Sequence, residues 1–252
     1  MGLFDDYFWP HIDKYDLGEK VKPLIASGMY YIRPSDGKIA QEHTQLDLEP
    51  PWIYTRPRVE ANCRLWHGVM FQVFDIFPPD CLNCWKVVVR PRTIVELIQL
   101  YELQENHTQR FCKCGIELRD YVPYLYGGYF YCNSEAEGYE VMEEVRQLVD
   151  EHISPDVSVT LKRYCTEFEV RFGSSREIED NLPEDNQLWA NTIDKVFDVK
   201  AEGETQPMWL RQHIIKNWIL FALDRGDQTA NLFNGGNPIL TPGKTYTRET
   251  PL

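Results

Sequence analysis

The chain has 252 residues and a mass of 29.7 kDa, with 39 acidic against 26 basic side chains, a formal charge of -13 and 43% hydrophobic residues. At roughly 100–200 residues per domain this is one large domain or two small ones, which excludes a short peptide and a disordered tail. A sequence pI near 4.9 disfavours broad charge-driven binding to phosphate backbones unless a basic patch is segregated on one face.

No window approaches the ~18 consecutive apolar residues of a membrane span. The acidic start Met1-Gly2-Leu3-Phe4-Asp5-Asp6 lacks the basic and apolar regions of a secretory signal. The expectation is an intracellular, cytoplasmic protein with no membrane partner.

Residues 1–80 are rich in Pro and aromatics, as in Phe8-Trp9-Pro10, Tyr30-Tyr31-Ile32-Arg33-Pro34 and Glu49-Pro50-Pro51-Trp52. Without long periodic runs they predict an irregular, β-rich part packed on the core. The apolar run from Leu65 to Phe74, closed by Pro78-Pro79, predicts a buried strand within it.

A regular pattern begins at Cys81 and marks residues 81–173 as the core. Trp85-Lys86-Val87-Val88-Val89 is a β-branched strand. Thr93 and Glu96 have capping-box spacing, and Ile94, Leu97, Ile98 and Tyr101 recur at helical intervals to about Glu105. Ile116-Glu117-Leu118 and a turn at Tyr126-Gly127-Gly128-Tyr129 predict two antiparallel strands. Ser134 and Glu137 repeat the capping spacing before a helix whose face carries Val141, Val145, Leu148, Val149 and His152. Val157, Val159 and Leu161 alternate as a strand. The apolar phase then moves to Tyr164, Phe168, Val170 and Phe172, which predicts a bulge or bend near Arg163.

Strand, helix, strand, strand, helix, strand over about residues 85–172 is the ferredoxin-like βαββαβ arrangement of an α+β protein. Beyond it lies a helical extension, residues 174–230. It comprises a polar linker to Glu184, a short helix over Gln187 to Val199, and a longer one from Pro207 to Leu223 stopped by Asp224-Arg225-Gly226. Residues 231–252, with Gly235-Gly236, Pro238 and Pro242, predict an extended C-terminal arm that could reach onto a second copy of the chain.

The seven cysteines are better explained by metal ligation or buried thiols than by a disulfide framework. Cys81 and Cys84 form a CxxC, and Cys112 and Cys114 a second tight pair followed by Gly115. In a ferredoxin-like sheet of order 4-1-3-2 the starts of strands one and two and the end of strand three share one pole. All four thiols, with Cys132 as a substitute ligand or redox partner, should therefore meet. Four thiolates in two pairs suit a structural zinc ion, with an iron–sulfur cluster as the alternative. The competing reading is reduced, partly buried core thiols. Cys165, and the Cys63/His67 pair, read as core packing.

A closed four-thiolate set leaves no position for substrate and so argues against a zinc hydrolase. The nucleobase-deaminase signature fails, because Pro79-Asp80-Cys81 has an extra residue and His67-Gly68-Val69 lacks the glutamate. Phosphate-loop, dinucleotide, nucleophile-elbow and zinc-protease motifs are absent.

Tyr129 and Tyr131, on the expected third strand, and Trp85 stand where ferredoxin-like RNA-recognition modules stack bases. Lys86, Arg90, Arg92, Arg110, Lys113 and Arg119 form a local basic excess. The preceding Tyr126-Gly127 departs from the usual basic–glycine pattern, and core aromatics with a solvated basic rim are the ordinary alternative. The functional expectation is a binding or assembly protein with a structural Cys-ligated zinc. Its partner would be a protein, a second copy held through the arm, or a local stretch of single-stranded nucleic acid. A Cys-dependent or iron–sulfur enzyme is the competing class.

Overall fold

A computed structural model describes residues 17–41, 50–57, 61–199, 206–237 and 239. In chain order the helices and strands are α1 (Leu17–Ala26), β1 (Tyr30–Ile32), β2 (Ile39–Gln41), β3 (Trp52–Arg56), β4 (Trp85–Arg90), α2 (Ile94–Asn106), β5 (Cys112–Ile116), β6 (Tyr126–Cys132), α3 (Glu135–His152), β7 (Ser158–Arg163), α4 (Thr166–Phe172), α5 (Ile178–Asn181), α6 (Asn186–Val196), β8 (Phe197–Asp198) and α7 (Met208–Asp224). A π-helix spans Arg64–Phe71, and 3-10 turns span Pro79–Cys81 and Gln228–Asn234. The protein is mixed α+β with two sheets. No helix among the described residues is long and apolar enough to cross a membrane.

The chain divides into two units, each assembled from three separate stretches. The first comprises Met1–Asp47, Arg58–Cys84 and Arg163–Gly203; the second comprises Leu48–Pro57, Trp85–Lys162 and Glu204–Leu252.

In the first unit β2 pairs antiparallel with β1 and parallel with β8, with Ile39 opposite Ile32 on one side and Phe197 on the other. Arg33 ties this small sheet by donating to Asp198 (2.5 Å) and pairing with Asp36. Val21, Tyr30, Leu65, Met70, Phe74, Trp189 and Ile193 fill the core. The buried Asn186 amide satisfies both backbone groups of Phe77: the Phe77 N–H donates to Oδ1 (3.0 Å) and Nδ2 donates to the carbonyl (2.8 Å).

Two expectations are corrected here. The run from Leu65 forms the π-helix, not a strand. Buried Leu65, Val69 and Met70, then Phe74, repeat every four to five residues, as a wide helical turn requires, although aromatic and β-branched content favours a strand. The last core strand also does not continue with a bulge. It ends at Arg163, where Tyr164 takes φ +65°, and Phe168 and Phe172 belong to α4. These two rings close an aromatic cluster with Phe71 and Phe77.

In the second unit the sheet order is β3-β5-β6-β4-β7. β4 and β5 flank β6 antiparallel, with Trp85 opposite Cys132 and Cys112 opposite Phe130. Helices α2, α3 and α7 cover one side of it. Leu97, Leu100, Val141, Val145, Ile214 and the fully buried Trp218 pack there against Ile53, Val87, Val89 and Phe130.

Both predicted capping boxes form. Thr93 and Ser134 side chains accept from Glu96 and Glu137 N–H (3.2 Å each), while each glutamate reaches back to the residue before the cap, at Arg92 N–H (2.6 Å) and Asn133 N–H (2.8 Å). The predicted turn at Gly127-Gly128 is instead the interior of β6, and residues 117–125 make the connection. A Cβ on Gly128 would lie 2.4 Å from Leu100 Cδ2, so this glycine serves close helix–sheet packing rather than chain reversal. Helix α7 stops at Asp224, with Gly226 at φ +83°. Of the expected C-terminal arm only residues 231–237 and 239 are described; its remainder lies outside the described residues.

Asp227 fastens three elements of this unit. Its carboxylate accepts from Ile94 N–H at the start of α2 (2.6 Å), from the Tyr126 hydroxyl (2.8 Å), and from Thr229 N–H (3.0 Å) and hydroxyl (2.7 Å). Burial alone would raise its pKa, but the donors outweigh burial and hold it below the usual carboxylate value. Its stabilising contribution is therefore complete above the unfolded pKa, about 3.9, and is lost as pH falls through the folded value. Asp227→Ala is expected to cost about 1–3 kcal/mol near neutral pH, as lost capping and buried hydrogen bonds do. The gap between parent and variant, measured by denaturant melts, should be constant above about pH 5 and close below pH 4. A gap that widens on acidification would contradict this role.

Candidate functional site

Period-two alternation gives β4, β5 and β6 two chemically opposite faces. Toward the helices point Val87 and Val89 of β4, Cys112, Cys114 and Ile116 of β5, and Phe130 and Cys132 of β6. The other face carries Lys86, Lys113, Tyr129 and Tyr131, with Arg90 at the end of β4. The edge strand β3 adds Trp52 and Tyr54 to it.

Cations and rings interlock on that face. Lys113 Nζ lies 4.7 Å from the Trp52 ring centroid, 5.3 Å from that of Tyr54 and 5.6 Å from that of Tyr129. Trp52 and Tyr129 meet edge to face at 5.5 Å. Lys86 Nζ is 6.0 Å from Tyr131, and the Arg90 guanidinium lies between Tyr124 (4.7 Å) and Tyr129 (5.8 Å). Each such contact contributes about 0.5–2 kcal/mol, more as water is excluded. Burial alone would depress the Lys113 ammonium; the phenol oxygens of Tyr131, Tyr54 and Tyr129 outweigh it and raise its pKa above the ordinary value. Among the described residues neither Lys113 nor Arg90 has a carboxylate partner.

Side chains hold β3 at the edge. Tyr54 N–H donates to Gln206 Oε1 (2.9 Å), and Gln206 Nε2 donates to the Trp52 carbonyl (3.0 Å), so one amide imitates a neighbouring strand. Buried Arg211 donates to the Tyr54 carbonyl (3.2 Å) and to Glu105 (2.5 Å). Trp218 Nε1 donates to the Pro51 carbonyl (2.9 Å). On the helix side Thr55 Oγ1 lies 3.0 Å from both Gln104 Oε1 and the Cys112 carbonyl. Gln104 Nε2 in turn donates to the Lys113 carbonyl (3.1 Å).

The expected nucleic-acid residues separate accordingly. Tyr129 and Tyr131 share the basic face. Trp85 does not: it packs on the helix-side core opposite Cys132, because it is in phase with Val87 rather than with Lys86. Of the six expected cations, Lys86, Arg90 and Lys113 lie here. Arg92 is engaged with Glu96, Arg110 with Glu137 and Glu144, and Arg119 with Glu117. Trp52 and Tyr54 were not anticipated as site residues, although the alternating Trp52-Ile53-Tyr54-Thr55 was the available signal.

Cys81 and Cys84 belong to the first unit; Cys112, Cys114 and Cys132 belong to the second. Among the described residues no group of three or more His, Cys, Asp or Glu side chains is placed to hold a metal ion. Cys112 and Cys114 are two residues apart on the apolar face, where burial pushes the Cys112 thiol up to about 11 and Cys114 well above its ordinary value. Without a bound cation this apolar surrounding favours the thiol form of both. Cys63, expected in the core, is exposed at the start of the π-helix, whereas His67 packs on Phe71 and Phe168 (centroids 5.4 and 5.7 Å).

Compared with protein-family models, curated proteins and solved structures, the chain finds no match in any of the three.

Gly115 is the contact point that lets Trp52 cross β5: a Cβ there would lie 2.1 Å from the Pro51 carbonyl oxygen and 2.9 Å from Trp52 Cα. Both obstacles are backbone. Gly115→Ala is therefore expected to cost about 1–3 kcal/mol through overpacking, read as a lower denaturation midpoint. An unchanged midpoint would mean that β3 does not approach β5 so closely.

Proposed function

We propose that the chain is a binding module that takes a short single-stranded nucleic-acid segment on the aromatic, basic face of its five-stranded sheet. The observation that carries this reading is the gathering of Lys86, Arg90 and Lys113 among Trp52, Tyr54, Tyr129 and Tyr131 in a chain of charge -13. Lys113 and Arg90, which have no carboxylate partner among the described residues, complement an anionic ligand, and the rings beside them supply sequence-tolerant stacking. The order β7-β4-β6-β5, with β3 added at the edge, supports the finer reading of this unit as ferredoxin-like. Its central strands then carry the face.

Tyr129 is only 8% exposed and is engaged by two cations, so it acts as the floor. Bases would stack on the half-buried Trp52, Tyr54 and Tyr131 and on the exposed Tyr124. Lys113 and Arg90 would neutralise the phosphates, while Lys86, 6% exposed, belongs with Tyr129 to the floor. The acidic remainder of the molecule opposes a long polyanion at low salt, which restricts the ligand to a local stretch.

The test is fluorescence anisotropy with a labelled oligothymidylate of about 12 nucleotides, within the range that one such face occupies. Two phosphate contacts on a single strand give an expected slope of about -1.4 for log affinity against log salt. Tyr131→Ala is expected to weaken binding by about 1–3 kcal/mol, fivefold or more, with the circular dichroism spectrum unchanged. Lys113→Gln should weaken it and flatten the slope by about 0.7. No binding by the parent at low salt, or affinity indifferent to both substitutions, would overturn the reading.

A further inference from the structure

At one end of this face Arg90 has surroundings unlike those of the two lysines. It is the last residue of β4, and its guanidinium lies between the rings of Tyr124, from the β5–β6 connection, and Tyr129, from β6. Beneath it is Gly127: a Cβ there would come within 3.2 Å of Arg90 Nη1 and 3.6 Å of the Tyr129 hydroxyl. Any other residue at 127 would press the guanidinium away by a few tenths of an ångström. Nη1 is buried and, among the described residues, has no hydrogen-bond partner.

An unsatisfied buried guanidinium nitrogen is costly, and in a folded chain a carboxylate usually meets it. Glu96, six residues on, is engaged by Arg92, and Glu117, just past β5, is engaged by Arg119 through its Nε (2.7 Å) and Nη2. The two tyrosine rings attract the guanidinium charge but leave Nη1 without an acceptor in the plane where its donors point. The missing partner is therefore an in-plane acceptor. A tetrahedral anion with several oxygens satisfies a planar fork of donors better than a single carbonyl does.

We propose that Arg90, clamped between Tyr124 and Tyr129 over Gly127, is a phosphate subsite. This rests on the reading of the face as a nucleic-acid surface and specifies which group of the ligand is recognised there. Tyr124 is 48% accessible and forms the outer wall, so an anion reaching the buried Nη1 has to displace this exposed ring. A strand's terminal phosphate is one source of that anion. A phosphate inside the strand has the same chemistry with one charge fewer, and the two sources are separable.

Two probes keep the subsite distinct from the wider face. Inorganic pyrophosphate, titrated against the parent and followed by backbone amide NMR, is expected to shift residues 90 and 124–129 selectively. Arg90→Gln should weaken it at least tenfold. Arg90→Lys should not restore it, because an ammonium cannot lie flat between two rings and donate as a fork.

With the oligothymidylate, a 5′- or 3′-terminal phosphate is expected to tighten binding at least threefold in the parent and not in Arg90→Gln. Equal gains in both proteins would overturn the subsite. Equal affinity for terminally phosphorylated and unphosphorylated strands, together with a tenfold loss in Arg90→Gln, would assign Arg90 to an internal phosphate. Selective pyrophosphate binding without any oligonucleotide binding would keep the subsite and overturn the nucleic-acid face. Pyrophosphate shifts scattered over the surface, or unchanged by Arg90→Gln, would overturn the subsite whatever the strand does. Circular dichroism and melting of each variant check that it has folded.

Discussion

The side-chain amide of Gln206 occupies the place where another strand's backbone would pair with β3, giving and receiving one hydrogen bond as a peptide would. An edge strand with open N–H and C=O groups is an invitation to aggregation, and this amide closes it at Tyr54 and Trp52. The rest of the aromatic face depends on that closure, because Trp52 and Tyr54 are two of the three rings around Lys113. Buried Arg211, tied to Glu105 and to the Tyr54 carbonyl, makes the arrangement unforgiving. A buried ion pair stripped of one member leaves an uncompensated charge, which costs about 3–5 kcal/mol.

The site's electrostatics follow from solvation more than from net charge. A lysine or arginine brought out of water ordinarily needs a carboxylate nearby. Here the negative faces of aromatic rings take part of that role, at a smaller gain per contact. A carboxylate would cancel the field outside the protein, whereas a ring quadrupole leaves the positive charge to act on a ligand. Lys113 and Arg90, held by rings, therefore remain available within a chain whose total charge is strongly negative. Arg92, Arg110 and Arg119, each paired with glutamate, show the opposite arrangement and contribute little to any external anion.

Much of the second unit was legible in the sequence because its signals are local. The capping residues Thr93 and Ser134, the helical spacing from Ile94 to Tyr101 and the β-branched run of β4 all correspond to elements at those places. Elements whose conformation is decided by distant packing were not legible. Gly127-Gly128 reads as a turn until Leu100 is seen to need the space. The run from Leu65 reads as a strand because composition says nothing of the π-helical period. The first unit joins α1, the π-helix and α6 from stretches more than a hundred residues apart, a grouping that a consecutive reading of residues 1–80 and 174–230 does not express. For the site, Tyr129, Tyr131 and Lys113 were in view, whereas Trp52 needed the pairing of β3 with β5 to reach them.

The cysteine reading and the nucleic-acid reading drew on the same five residues, Cys112 to Ile116, and the pleat divides them. Spacing along the chain treats Cys112 and Cys114 as a ligand pair and Lys113 as an interruption. In the strand the two thiols enter the apolar core and Lys113 faces the rings, so each face has one chemistry. A slip of one residue in β5 would exchange them, placing an ammonium in the core and two thiols among the tyrosines. Three features oppose that slip: Gly115 under Trp52, Gly128 under Leu100, and the irregular pairing between Ile53 and Arg56 on β3. The Thr55–Gln104–Lys113 hydrogen bonds lock the same register from the helix side. The thiols thus matter to the binding face as small apolar side chains that pack in only one register. A polar replacement at Cys114 would loosen the lysine behind it without touching the ligand.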